Sequence, residues 1–598
     1  MATVLQLSDE LIDFDITLDG SKIKDEIEVL DIAVDMEINQ ITTATITIQD
    51  GGAIGAPNVT FTNSEGASFV PGVAIEIKLG YGGKRKSVFK GVITAQRIRV
   101  KNETSQLLIS CKDETFQMRQ GRFNSFYQDK KDSVTFKTIA TKYGVATKID
   151  TTTLEMPAMT QINCTDWDFI LMRAAANNMM VITDKNTLIV KKIDLGETPK
   201  FEINASQYVI DIDINLNSEQ LVTDIDLTAW NSKAQAETTT TLKLQDTLKQ
   251  GNLSAEKLAQ DVKGQTTSFY ASSELQKDEL NILGESINSM RVLSKVEGKM
   301  TVPGTTSILA GDIIALSGLS TRFNGSAFIS RVQHRLEDGT WLTTLYLGMS
   351  EKLGGNITHN PTNTSAKLIP PSTGLHIATV KQIHDDPDND FRVLVTLSAF
   401  KGEGQTEGIW ARMALPYASK EVGFFFYPEV GDEVLVTFIN NDPRFPVVTG
   451  ALYSQNNKPK EVADEKNQFK SIFSKSGIQI RFDDEDKILH IATPEGHSIT
   501  LDDKDKALTI VDLNKNQFIM NESGIEMKSP KDINIKADGG ITLEAAANIE
   551  LKATGDLSGD GMNVALSAQT GFTGKGNASA ELSASGQTTV KGAMVMIN

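Results

Sequence analysis

The chain has 598 residues, of which 40% are apolar and 23% charged, and a formal net charge of −18. That length holds several domains, and the balance is the one of a soluble globular protein. The acidic excess argues against a nucleic-acid or anionic-membrane ligand, and no run approaches the roughly 18 apolar residues of a membrane span. Residues 1–10 lack the basic and apolar stretches of a signal peptide, which argues against classical export. Cys111 and Cys164 are the only cysteines, both inside strand-like or helix-like text, so buried thiols are expected and no disulfide framework.

From residue 1 to about 365 the chain reads as β, then helical, then β again. Residues 41–48 alternate polar and apolar, and Asp50-Gly51-Gly52 turns the chain. Residues 74–79, closed by Gly80-Tyr81-Gly82-Gly83, and 107–111 are further strands. Val134, Ile139 and Ala140 sit at helical spacing before Tyr143-Gly144, where glycine ends the helix. A second helix starts after Cys164, with Thr165 or Asp166 as cap and Phe169, Ile170, Met172 and Arg173 within it. Leu280, Leu283, Ile287 and Met290 step by three and four along a third. Strands return at 312–316, 327–330 and 341–347.

Residues 356–373 are rich in Asn, Thr, Ser and Pro and read as a linker, whose last part, 366–374, leads into a compact β domain at 375–458. Five short strands there, at 376–380, 391–397, 408–413, 433–438 and 447–452, suit a small barrel of the OB type. A polar connector, 459–471, follows. It leaves no room for an inserted domain, which needs on the order of 100 residues.

From 472 to 598 the chain repeats. Apolar pairs first recur at longer spacing, at Ile478/Ile480, Leu489/Ile491, Ile499/Leu501, Leu508/Ile510 and Phe518/Met520. From Ile525/Met527 they recur every eight residues, through Ile533/Ile535, Ile541/Leu543, Ile549/Leu551 and Leu557/Gly559. After one step of seven the count resumes at Val564/Leu566 and runs to Met596/Asn598. The i, i+2 pairing makes each unit one short strand with one buried face, and the small and polar residues between suit tight corners. A fixed short period of strand plus turn marks a β-solenoid. Eight residues are too few for one chain to enclose a core, so the expectation is a needle of several interleaved identical chains. Fifteen units at about 4.8 Å of rise give roughly 70 Å. Inward positions shrink to Gly574, Ala580 and Thr588, which predicts a tapering tip.

The segment Gln161-Ile-Asn-Cys164-Thr-Asp166-Trp-Asp-Phe-Ile170-Leu-Met-Arg-Ala174 resembles the Q-x-x-x-[ST]-D-[WY]-x-F-[IL] signature of VgrG-type spike proteins and phage tail hubs. Trp410-Ala-Arg412, Pro416-Tyr-Ala418, Gly423-Phe-Phe-Phe-Tyr-Pro428, Asn441-Asp-Pro443, Pro446-Val-Val448 and Gly450 resemble the same family in order and spacing. The opening, with Glu37-Ile-Asn39, Phe69-Val-Pro-Gly72, Gly80-Tyr81 and Phe89-Lys-Gly91, is most similar to spikes of extracellular contractile injection systems, the phage-tail-like particles.

The resemblance implies a mainly β protein with an α+β hub of the phage-tail type at 1–365, holding two barrel-like β subdomains and a helical insertion. It implies an OB-fold collar at 375–458 and an intertwined triple-stranded β-helix needle at 472–598, in a homotrimer. Three copies of two subdomains would match a hexameric inner-tube protein. The other implied partners are baseplate proteins, effector cargo, and a PAAR-type tip protein on the open strand ends Met594, Val595, Met596, Ile597 and Asn598. The implied role is that of a spike on the tube tip, driven through a target envelope with transient membrane contact. It would be made in the bacterial cytoplasm and released in an assembled particle. A type VI secretion VgrG spike and a tailed-phage baseplate hub are the alternative settings. The chain stops within a repeat, so no C-terminal effector domain is expected.

No residue is nominated for catalysis, cofactor or metal. Residues 483–486 and 502–505 are acidic but lack the glycine and closing glutamate of a calcium loop, and solvated turns are the plainer reading. His334, His359, His376, His384, His490 and His497 lack zinc-ligand spacing, and no histidine after His497 could hold a tip metal. Gly80-Tyr-Gly-Gly-Lys84 lacks the order of a phosphate loop and suits a hairpin turn. Cys164 has no histidine nearby and reads as a small apolar side chain. Trp167 and Trp410 read as core aromatics. The rival readings are a lytic hub enzyme, for which no carboxylate pair presents itself, and a trimeric adhesin, which would not need hub and collar motifs.

Overall fold

The computed structural model describes residues 3–4, 10–51, 60–101, 104–349, 368–397 and 408–597. They form two compact units, Met1–Pro459 and Lys460–Asn598.

The first unit opens with β1 (Ile12–Leu18), β2 (Val29–Glu37), β3 (Thr43–Gln49), β4 (Ala74–Tyr81), β5 (Lys84–Lys101) and β6 (Thr104–Lys112). Alternation sets their faces: β2 buries Ile32, Val34 and Met36 and turns Asp31, Ala33 and Asp35 the other way. Hydrogen bonding orders the last five as β2-β3-β6-β5-β4. The Gly82-Gly83 turn between β4 and β5 has positive φ at both residues, as a two-residue hairpin requires. Ile46, Ile48, Ile77, Leu79, Leu107 and Ile109 fill the core between the folded-over strands.

A helical middle follows. β7 (Phe123–Lys131) pairs with β8 (Glu155–Cys164), and α1 (Asp132–Lys142) and α2 (Asp166–Ala176) pack on a core of Phe136, Ile139, Trp167, Phe169 and Ile170. Thr165 caps α2, its hydroxyl accepting from the Asp168 amide at 3.0 Å. Val134 is 49% exposed, so the buried stripe of α1 runs through Phe136, Ile139 and Ala140 instead.

After β9 (Asp211–Leu216) and α3 (Lys277–Leu293) the chain builds β10 (Val296–Pro303), β11 (Ile313–Ser317), β12 (Gly325–Glu337) and β13 (Thr340–Leu347). Their order is β9-β10-β13-β12-β11, the order of the first half repeated. The repeat extends to irregularities. The β5/β6 ladder slips between Ile93 and Ala95, and the β12/β13 ladder between Ile329 and Arg331. Both hairpins then close over two residues, Lys101 to Thr104 and Glu337 to Thr340. The halves join where β12 pairs with β2.

The stretch read as a linker ends differently from the expectation. Its first part, 356–367, lies outside the described residues, but Leu368 and Ile369 are buried in the helical cores. The Leu368 carbonyl accepts from Arg173 at 2.8 Å, and the Ser372 amide donates to Asn441. Two apolar residues beside a buried cation outweigh the polar composition around them.

β14 (His376–Gln382), β15 (Val393–Leu397), β16 (Ile409–Met413), β17 (Glu433–Phe438) and β18 (Pro446–Ala451) close a five-stranded barrel in the order β14-β15-β16-β18-β17. Val380, Val393, Val395, Ala411, Val434, Val436 and Val448 fill it, and Phe126 and Ile162 from the β7/β8 hairpin join the same cluster. Trp410 is not part of that core. Ile409 and Ala411 point inward, so the pleat turns Trp410 outward, half-buried, towards Arg412, Arg444 and Ile439.

The second unit begins with seven antiparallel strands, each paired to the next: β19 (Phe469–Phe473), β20 (Gln479–Asp483), β21 (Ile488–Ala492), β22 (Ser498–Asp502), β23 (Ala507–Val511), β24 (Gln517–Asn521) and β25 (Gly524–Lys528). The longer-spaced apolar pairs lie on these strands, except that Ile478 immediately precedes β20. The strict octads depart from the one-strand-per-unit expectation, because among the described residues no ladder continues past Lys528.

Candidate functional site

The signature segment at 161–174 is a joint, not a reaction centre. Gln161 is fully buried, and its amide donates to the Cys164 carbonyl at 3.0 Å and the Asp166 carboxylate at 2.8 Å. Asp166 also accepts from the Tyr143 hydroxyl at 2.8 Å. Burial, and then that contact, raise the Tyr143 phenol. Arg173 donates from Nε and Nη2 to the two oxygens of Asp132 at 2.8 and 2.6 Å, with both side chains buried. Asp132 takes a further bond from Asn177 at 2.9 Å. Every charge in the motif is answered by protein, so the segment locks α2 to α1 and, through the Leu368 carbonyl, to the stretch leading into the barrel.

The other chemical candidates are likewise occupied. Burial pushes the Cys111 and Cys164 thiols up to about 12, far from the thiolate form. Asp484, Glu485 and Asp486 pair with Lys470, Lys466 and Lys504, while Asp483 accepts the Glu485 and Asp486 amides in a turn. His490 contacts Thr500 on the neighbouring strand at 2.9 Å. No group of three or more potential metal ligands occurs among the described residues.

A second joint ties hub to barrel, and no sequence pattern announced it. Arg444 is buried; it binds both oxygens of Asp442 and donates to Glu279 in the first turn of α3 at 2.6 Å. Burial alone would lower the Arg444 pKa, but Asp442 and Glu279 more than offset it and raise it. Arg412 reaches Glu274, and Lys233 faces Asp388 and Asp390, across the same boundary. The residues on both sides are polar in a solvated-looking sequence, so only their juxtaposition reveals the joint.

What remains open is apolar. Phe424, Phe425 and Phe426 on the barrel are 50, 77 and 60% exposed, with Tyr417 and Val430 beside them. The octads leave Ile533, Ile535, Ile541, Leu543, Ile549 and Leu551 more than half exposed. Met594, Val595, Met596 and Ile597 are exposed at the last described residues; Asn598 lies outside them. A stable chain does not carry such continuous apolar surface uncovered.

Residues 8–338, more than half of the chain, match the family described as the Alg8 N-terminal domain. The chain belongs to that family. Behind this Alg8-type hub, residues 376–453 match the type VI secretion system/phage-baseplate injector OB domain, the same five strands that close the barrel. Over 105 residues, 17% of the chain, it is 30% identical to the type VI secretion system spike protein VgrG3 of Vibrio cholerae. Over 128 residues, 21% of the chain, it is 28% identical to the actin cross-linking toxin VgrG1 of Vibrio cholerae. These matches span only 10% and 11% of those relatives. In fold, a chain of the Francisella PdpA-VgrG complex is similar at 10% identity, with a TM-score of 0.51, over 87% of this chain and 88% of that one. The chain thus joins an Alg8-type hub to an OB barrel of the type VI secretion and phage-baseplate kind, and it is similar over part of its length to VgrG spike proteins.

Proposed function

We propose that the protein is the homotrimeric spike at the tip of the tube of a contractile injection system. Its hub adapts a hexameric inner tube to threefold symmetry, and its needle pierces the target envelope during delivery. The observation that carries this reading is the octad region. Past Lys528, strand-patterned units stand with their apolar positions exposed and no intrachain ladder among the described residues, a state that copies of the same chain can relieve by supplying the missing strands. The duplicated hub supports it, since two like halves in each of three copies present six units to a sixfold tube. The role is mechanical, with no catalytic residue, cofactor or metal. Met594–Ile597, with Asn598, dock a PAAR-type tip protein; baseplate proteins and effector cargo are further partners. The setting is an extracellular phage-tail-like particle, made in the cytoplasm and then released. Recovery of the protein in released, sheathed particles supports that setting; retention in the producing cell favours a membrane-anchored type VI machine.

Light scattering after size exclusion tests the core of the proposal. The full chain is expected to be a trimer, and a version ending at Lys470 to lose resistance to heat and detergent. A monomeric full-length protein would sink the spike reading, and lytic activity on peptidoglycan would replace it with an enzyme.

A further inference from the structure

The segment 112–148 departs from the charge of the chain around it. It carries eight lysines and arginines against four carboxylates, in a protein of net charge −18. Two of the four are out of solvent: Asp132 is neutralised by Arg173, and Asp113 is buried with Thr115 and the Asn186 amide on its oxygens. Arg119, Arg122, Lys130, Lys137 and Lys148 are exposed and have no ion-pair partner among the described residues.

The helix α1 gives this charge a shape. Phe136, Ile139 and Ala140 face the core. At about 3.6 residues per turn, Val134, Thr138 and Thr141 fall along the middle of the opposite face, with Lys137 and Lys142 on its two edges. The Thr138 hydroxyl donates to the Val134 carbonyl at 2.9 Å and that of Thr141 to the Lys137 carbonyl at 2.8 Å. Both hydroxyls are thus occupied by the helix itself, and the threonine methyl groups join Val134, which is 49% exposed, in an apolar strip between two cations. On the Lys142 edge the ammonium lies 5.7 Å from the ring centre of Phe123, itself 38% exposed and next to Arg122. An apolar centre rimmed by charge is how a protein-binding surface is built.

We propose that the outward face of α1 docks a partner protein through an acidic segment. Carboxylates of that segment meet Lys137, Lys142 and Arg122, and an apolar side chain between them covers Val134. Charge complementarity selects the sign of the partner, and the apolar strip selects its class. A nucleic-acid duplex or an anionic bilayer is a uniform polyanion that the net charge of −18 repels at a distance, and phosphates have nothing to set on Val134. The site adds a partner to the spike reading and does not depend on it.

The test uses the full chain at low salt and two synthetic peptides, one of glutamates and leucines and its counterpart with serine for leucine. The leucine peptide should bind more tightly, and Val134→Ser should erase the difference. Lys137→Glu with Arg122→Glu should weaken binding by roughly tenfold or more, while the same charge change at exposed lysines elsewhere, Lys263→Glu with Lys420→Glu, should leave it within a factor of about two. No binding of either peptide, or equal weakening by both pairs of reversals, overturns the site. Tighter binding of duplex DNA or phosphatidylglycerol vesicles through the same residues overturns the choice of a protein. A smaller assembly on light scattering for the Lys137→Glu, Arg122→Glu chain than for wild type assigns the face to contact between copies instead, and also overturns the proposal.

Discussion

Arg173 and Asp132 meet in the helical core with both charges out of water, and such pairs are costly to break singly. Arg173→Met should lower the stability of the hub by about 3–5 kcal/mol, read from denaturant unfolding. Replacing Asp132 by Leu in the same chain should recover most of the loss, because no lone buried charge is then left. His334, on β12, is a second buried titratable group. Its ring is buried against Thr343 and Trp341, and burial, with Lys185 adding to it, lowers its pKa from 6.5 to about 4. The unfolded chain therefore takes up the proton first, so stability is full above pH 6.5 and falls as pH drops towards 4, by on the order of 3 kcal/mol. Unfolding midpoints between pH 7 and 4 should fall for the native protein and flatten in His334→Gln. The signature text around Gln161 was legible as a motif, but its purpose was not, because Asp132, 41 positions from Arg173, carries no mark of the pairing.

Among the elements, alternation and capping determined most of what formed. Thr165 caps α2 as its position implied, and the longer-spaced apolar pairs of the repeat region became strands, with Ile478 just ahead of its own. The octads are the instructive departure: the pattern specifies a strand, yet a strand exists only where a neighbour lies within hydrogen-bonding distance. If chains interleave there, an inward charge is intolerable. Ile549→Asp should abolish detergent resistance of the full-length trimer on an unheated gel, whereas Glu550→Lys, on the alternate face, should leave it unchanged.

For the molecule as a whole, the joint at Arg444 fixes barrel to hub. Glu279→Gln keeps a side chain able to cap α3 but removes the charge facing Arg444. It should cost about 1–3 kcal/mol, the worth of a buried charged hydrogen bond, seen as a lower-temperature calorimetric transition for the barrel. Truncation at Lys470 examines the second unit, where loss of heat resistance would place the strength of the proposed trimer.

Sequence alone determined the periodic features: strands of period two, helices of period three to four, the barrel's five strands and the octads. These are local properties, fixed by pleat and turn geometry within a few residues. The tertiary structure decided what depends on distant residues meeting: the duplication of the hub's strand order, the burial of Leu368 and Ile369 at the end of a polar stretch, the outward place of Trp410, and the ion pairs of Arg173 and Arg444. A charge or an edge acquires meaning only from what stands opposite it, and that is settled by the fold, in which residues hundreds of positions apart become neighbours.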